Sequence, residues 1–194
     1  PVPTTKPGAD SQPRAFEPVV PGPPDVEPEL MSEMPKAVRA APPRELVTVA
    51  AGTYSVGLDP AEAKFFDQTP RHPVELAAFE IDRRPVGVPA VTGLSFDQAQ
   101  AFCAELGMRL PKESEWEVAA QVEGFVLEPG VFEWTASWYD SYPGNSRRED
   151  DYGESFRVLR GLTDPSVDSV HSRRFMGPTQ SNSRVGFRCA RGGE

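Results

Sequence analysis

Two cysteines and two histidines are the scarcest reactive side chains in this chain of 194 residues. Cys103 stands in "AQAFCAEL" and Cys189 in "SRVGFRCARGGE". Such a pair can be a catalytic thiol couple, part of a metal site, or a structural cross-link. Free cysteines also pack well in cores, so the residues alone leave these readings open. His72, in "TPRHPVEL", reads as a hydrogen-bonded residue at a strand start, and His171 as a surface or loop residue. The stretch "SWYDSYPGNSRREDDYGES" (137–155) mixes aromatics, acids and arginines in a turn-rich setting. Loops of that kind on a rigid scaffold commonly bind ligands. Trp138, Tyr139, Tyr142, Arg147 and Arg148, together with His171, are therefore the candidate binding residues.

These residues need elements to hold them. "ELVTVAAGTYSVG" is β-branched and Gly-punctuated, which predicts a hairpin. "HPVELAAFEIDRRPV" alternates Val74, Leu76, then Phe79 and Ile81, as a half-buried strand does. "LSFDQAQAFCAELG" predicts a helix: Ser95 caps it, Gln98 completes a capping box, and Gly107 ends it. Phe96, Ala99, Phe102, Cys103 and Leu106 then share one face. A second helix is predicted in "PKESEWEVAAQ", whose acidic first turn suits the helix dipole. "VFEWTASWY", "FRVLRG" and "RVGFRCAR" read as short strands. Two helices among short strands imply an α+β domain over 46–194.

Residues 1–45 differ in kind. Twelve of the 22 prolines lie there. Proline fixes φ and removes a donor, so this segment reads as an extended arm or linker. If the arm lies along a partner, Phe16, Val19, Val20, Leu30 and Met31 are its anchors. A chain opening on Pro1 is expected to be a fragment or a processed product, and its start lacks the basic-then-apolar pattern of a signal peptide. The net charge of −9 argues against a nucleic-acid partner. No run of about 18 apolar residues is present to span a membrane.

Six segments together carry a resemblance: "TPRHPVELAAFEIDRRPV" (69–86), "LSFDQAQAFC" (94–103), "RLPKESEWEVAAQ" (109–121), "FEWTASWY" (132–139), "FRVLRG" (156–161) and "VGFRCAR" (185–191). In this order they are similar to the formylglycine-generating enzyme, or sulfatase-modifying factor, family. The resemblance covers nearly all of 46–191 and implies a variant of the C-type lectin fold, with Trp116 and Trp134 as core residues. Activity does not follow from the fold. The family includes copper-dependent oxidases that convert a sulfatase cysteine to formylglycine, domains of iron-dependent sulfoxide synthases, and binding proteins that are not enzymes.

What the resemblance implies for this chain is mostly loss. The oxidases need two cysteines upstream of the final "GFRC", whereas residues 161–185 contain none. The sulfoxide synthases need clustered histidines, and only His72 and His171 exist. The family's calcium segment, Gly-Asn-Val-Trp-Glu-Trp, is "PGVFEW" here: Gly130 replaces the Asn, while Glu133 and Trp134 remain. With the preceding loop cut to "VEGFVLE", calcium near Glu133 lacks most of its oxygen ligands. The family's first helix is missing after "IDRRPV", which exposes surface a partner could cover. Family positions matching Cys103 and Cys189 form a disulfide, which would use both thiols and place the protein outside the cytosol, in a periplasm, envelope or extracellular space. Arg173, Arg174, Arg184 and Arg188 are expected in buried salt bridges, with Glu113, Glu115 and Glu117 as partners. The expected function is a non-catalytic structural or protein-interaction module of an envelope or extracellular assembly, without a cofactor. The alternative is a lectin-like domain binding carbohydrate or a protein surface through the 137–155 and 162–183 loops. A metal-dependent oxidase is the third reading.

Overall fold

A computed structural model describes residues 44–162 and 168–193. The arm and its five anchors, Phe16, Val19, Val20, Leu30 and Met31, lie outside the described residues. Nine strands, β1 (Leu46–Val49), β2 (Gly52–Val56), β3 (His72–Leu76), β4 (Phe79–Asp82), β5 (Val131–Trp138), β6 (Arg157–Leu162), β7 (Arg174–Met176), β8 (Val185–Phe187) and β9 (Ala190–Gly192), accompany two α-helices, α1 (Phe96–Glu105) and α2 (Glu113–Ala119), and a 3-10 turn at Phe66–Gln68. The α+β arrangement matches the expectation.

The first four strands correct the predicted hairpin. β1 does not pair with β2. β1 pairs antiparallel with β4, from Leu46↔Asp82 to Val49↔Phe79. β2 pairs antiparallel with β3, from Gly52↔Leu76 to Val56↔His72. The register passes unchanged across the gap, so the four strands are one long ribbon, interrupted where Ala50–Ala51 faces Ala77–Ala78. A two-residue hairpin turn needs positive φ, and among the described residues only glycines have it. An Ala-Ala link therefore bends the chain without reversing it. The single strand predicted over 72–86 is likewise split at Ala77–Ala78.

β9 joins this ribbon beside β4, giving the order β1-β4-β9. A second sheet has the order β7-β6-β5-β8, with β8 parallel to β5. Gly161 allows β6 to sit close to β5: at its φ of +143°, a Cβ would come within 2.4 Å of the Val131 carbonyl oxygen. One apolar core lies between α1 and the second sheet, built on Phe96, Phe102, Trp134, Leu159, Val185 and Phe187. Another lies between the ribbon and α2.

α1 begins as predicted. The Ser95 hydroxyl accepts from the Gln98 amide, and the Gln98 side chain accepts from the Ser95 amide. Phe96, Ala99, Phe102 and Cys103 are buried. Leu106 is not: it ends the helix 38% exposed, because the chain leaves the helical path there and no longer follows its face. No helix is described between β4 and α1.

Cys103 and Cys189 are bonded to each other, with Cα atoms 5.5 Å apart and a sequence separation of 86. The bond ties α1 to the link between β8 and β9. That link is also pinned from below: the Cys189 amide donates to Asp82 Oδ2 at 2.7 Å, and the Asp82 amide to the Cys189 carbonyl at 2.9 Å. Both sulfurs are buried. For a closed loop of this length the chain-entropy account gives about 4–5 kcal/mol. The double variant C103A/C189A should lose about that much in a urea titration, with a lower midpoint. An unchanged midpoint would show that the bond is dispensable to the fold.

Candidate functional site

The helix that carries three glutamates organises the centre of the molecule. In α2, Glu113 and Glu117 are one turn apart and face the same way, while Glu115 faces elsewhere. Glu115 takes a bidentate pair from Arg109, at 2.7 and 2.6 Å, and accepts the Lys112 amide at 2.7 Å. Glu113 and Glu117 receive two buried arginines. Arg160 Nη2 donates to Glu117 Oε2 at 2.7 Å, to Glu113 Oε2 at 3.2 Å and to Tyr142 Oη at 2.7 Å. Arg173 donates to both Glu113 oxygens, at 2.9 and 3.0 Å, and to the carbonyls of Asp67 and Asp140, each at 2.9 Å. The second Glu117 oxygen takes the Gly57 amide at 2.7 Å and meets His171 Nδ1 at 2.8 Å.

The aromatic residues of the 137–155 stretch belong to this centre. Tyr139 and Tyr142 are buried, which corrects the expectation that both rings face a ligand. The reason is charge. The Arg173 guanidinium lies 5.0 Å from the Tyr139 ring and 4.3 Å from the Tyr142 ring. Tyr139 Oη donates to Asp67 Oδ2 at 3.1 Å. Burial raises both tyrosine hydroxyls far above their usual range, so they stay protonated. Burial also raises the Asp67 carboxyl, despite Arg173 and the Tyr139 hydroxyl. Burial pulls the other way on Glu117, but Arg160, His171 and the Gly57 amide outweigh it and hold its pKa at about 2.

The other candidates are placed plainly. Arg147 stacks over Phe66 at 3.8 Å and pairs with Glu149. Arg148 is exposed. His171 is half-buried and held by Glu117 rather than facing solvent freely. His72 Nδ1–H donates to the Pro70 carbonyl at 3.0 Å, and its ring lies 4.6 Å from that of Tyr142. Trp138 is half-buried, with the Arg157 guanidinium 3.2 Å above its ring. Sequence reasoning missed Arg157 and Arg160 because both sit inside a strand-like segment. The available signal was an arginine among apolar neighbours in "FRVLRG", where a buried strand must pair such a charge.

The predicted pairing of an arginine with an α2 glutamate holds for Arg173, which pairs with Glu113. Arg174 pairs with Asp168 at 2.7 Å. Arg188 pairs with Glu133 on β5, and Arg184 is exposed, which corrects the expectation of a buried salt bridge there.

The metal chemistry suggested by sequence does not fit these residues. A dithiolate copper site needs free thiolates, and both cysteines are bonded to each other. His72 and His171 are engaged by different partners. Glu133, the remaining acid of the calcium segment, has both oxygens taken by N–H donors of Arg188, and Oε2 also accepts the Trp116 indole N–H at 2.9 Å. A shallow recess of about 350 Å³ lies on β2 and β3, lined by Thr53, Tyr54, Ser55, Arg71, His72 and Pro73. Arg71 is already paired with Asp59 and Glu62.

Comparison with known proteins agrees with this geometry. Residues 88–128 match the model of the sulfatase-modifying factor enzyme 1-like domain. Two curated relatives are each named inactive C-alpha-formylglycine-generating enzyme 2. The one from Bos taurus is 28% identical over 153 residues, with 53% of this chain and 50% of the relative covered. The one from Mus musculus is 26% identical over 151 residues, with 52% and 48% covered. The chain thus spans about half the length of the curated relatives it matches. Among solved structures, PvdO from Pseudomonas aeruginosa superposes with a TM-score of 0.62 at 16% identity, covering 76% of this chain and 94% of that one. Treponema denticola variable protein 1 superposes with a TM-score of 0.61 at 18% identity, covering 77% and 99%. These likenesses establish the fold.

The Glu117 carboxylate gives the buried network a pH signature. Its folded pKa of about 2 lies below the value of about 4.3 expected in an unfolded chain. A depressed carboxylate contributes stability above its unfolded pKa and loses it as pH falls towards the folded one. Its share is on the order of 3 kcal/mol, lost between about pH 5 and 2. E117Q should therefore be destabilised at pH 7 and show a flatter acid limb than the wild type in urea titrations across that window. Parallel acid limbs would remove Glu117 from this role.

Proposed function

Because this chain carries a formylglycine-generating-enzyme-like domain with the C-type lectin-like fold, we propose that it acts by binding, as a non-catalytic protein-interaction module. The observation that supports this most directly is the Cys103–Cys189 bond. The chain has two cysteines and each is consumed by the other, so no thiolate remains to hold copper or attack a substrate. The names of the two curated relatives, both inactive, agree with a binding role.

The buried centre supports the same reading. Its tyrosines are held protonated and Glu117 is held charged, so none of these three groups exchanges a proton near neutral pH. The network holds the 139–145 and 168–173 segments in place. In this reading the partner is a protein of a larger assembly. The disulfide fits a site of action outside the cytosol, in the periplasm, envelope or extracellular space. The Pro-rich arm supplies a second contact, through Phe16, Val19, Val20, Leu30 and Met31. A lectin-like use of the 137–155 loop is weakened by the burial of Tyr139 and Tyr142.

The test is direct. The oxidised protein, given copper(I), oxygen and a peptide bearing a sulfatase cysteine motif, should leave the cysteine intact by mass spectrometry. Conversion of that cysteine to the aldehyde, with more than one turnover per chain, would overturn the non-catalytic reading.

A further inference from the structure

The ribbon of the first four strands leaves one edge open. Just before β1, the Glu45 carbonyl accepts the Arg83 amide at 2.8 Å, so Glu45 and Arg83 are a hydrogen-bonded pair. Such pairs alternate along an antiparallel ladder. Val47 with Ile81 and Val49 with Phe79 are therefore bonded too, and Leu46 and Thr48 turn their N–H and C=O groups away from β4. Asp82, opposite Leu46, follows the same alternation: its amide turns the other way and donates to the Cys189 carbonyl. Among the described residues, none bonds the outward groups of Leu46 and Thr48. Thr48 is exposed and Leu46 half-buried, so an approaching chain can reach them.

Two comparable edges are closed by the chain itself. At the other side of the same sheet, the Ala190 amide and carbonyl of β9 are both taken by Arg109, at 2.7 and 2.8 Å. In the second sheet, the Val185 and Phe187 carbonyls of β8 accept the Gly93 and Val86 amides, at 3.0 and 2.9 Å. An open edge is usually guarded by a proline, a lysine or a bulge. Leu46–Val49 contains no proline or lysine, and its register with β4 is regular. The charges at its start are already neutralised, because Arg44 pairs with Asp82 and Glu45 with Arg83. The chain's own arm is poorly made to cover this edge. It reaches β1 through Pro42 and Pro43, and its nearest Pro-free run, "KAVRAA" (36–41), is mostly Ala, Lys and Arg. Proline has no N–H to give, and Lys and Ala are depleted in strands.

We propose that the β1 edge at Leu46 and Thr48 receives an extended strand of a protein partner, giving the order partner-β1-β4-β9. Two N–H and two C=O groups on alternate residues match the repeat of another extended backbone. The inward residues of that strand lie beside Val47 and Val49, which are buried in the core between the ribbon and α2, so apolar β-branched side chains fit there. Its outward residues lie beside the exposed Thr48 and are polar. The arm leaves the domain at Arg44, two positions before Leu46, so a partner held by the arm is brought to this edge. The proposal deepens the interaction reading by naming its surface, and rests on it for the partner. The test reads the edge directly, so the edge can fail while the non-catalytic reading stands.

The full chain, labelled with 15N, is titrated with a strand-forming probe, the peptide acetyl-KTVTVTK-amide, while its backbone amide signals are followed. The expected result is a saturable shift of the Leu46 and Thr48 amides, with those of Val47 and Val49 moving little. Two further probes are N-methylated on the threonines or on the valines. One edge of the probe faces β1, so one methylated set should abolish binding and the other should not. T48P removes an outward donor without touching a β1–β4 bond, and an edge strand tolerates proline where its N–H faces solvent. It should bind the probe about five- to tenfold more weakly, read from the Leu46 signal. The methylated probes keep the test decisive if T48P folds poorly. Protection of the Leu46 and Thr48 amides from solvent exchange in the free chain at every concentration would mean that the arm covers the edge, and protection that grows with chain concentration would mean a second copy. Either result overturns the proposal, as does the absence of a shift or equal binding of the two methylated probes.

Discussion

Arg188 has no exposed surface, and the domain is arranged to satisfy it. Its Nε and one Nη2 hydrogen go to Glu133 on β5. Nη1 reaches the carbonyls of Asp82 and Arg83 at the end of β4, at 2.9 and 3.2 Å, and Nη2 also reaches that of Val126 at 3.1 Å. A guanidinium has five N–H donors, and five bonds are made. A buried charge left without its partner costs about 3–5 kcal/mol. The end of β4, the 126 loop and β5 must therefore sit where this one side chain can reach them all. The next residue is Cys189, so the same short link delivers the disulfide to α1.

A buried ion pair is poor evidence of net stability, since an apolar replacement of similar volume is often as good. Its effect is on uniqueness. Arg160 and Arg173 show how. α2 is only seven residues long and could not hold its position by helix propensity. Its two inward glutamates instead lock onto arginines from β6 and from the segment before β7. Arg173 then reaches the carbonyl of Asp67, so the 3-10 turn is fixed by the same charge. A loop-rich domain gains in this way a geometry that its short strands alone would leave loose.

Local rules were the legible part of the sequence. The Ser95–Gln98 capping box and the burial of Cys103 follow from spacing, and the burial of Trp116 and Trp134 from the family resemblance; each is seen. The Cys103–Cys189 bond was readable only through family resemblance, because two cysteines far apart in sequence do not say whether they meet. What failed was anything decided by long-range contact. The Ala-Ala links read as a hairpin because local pattern cannot show that β1 pairs with β4, more than thirty positions away. Tyr139 and Tyr142 read as loop aromatics because nothing near them in sequence announces Arg173. The family resemblance pointed the arginines to the glutamates of α2, yet Arg188 found Glu133 on β5 and Arg174 found Asp168 six positions before it.

The distribution of charge also shows which contacts hold the domain in one shape. The elements that fix the fold are Arg188 with Glu133, the α2 glutamates with Arg160 and Arg173, and the disulfide. Two of these meet in one short link, Arg188 followed by Cys189, so a change there acts on β4, β5 and α1 together.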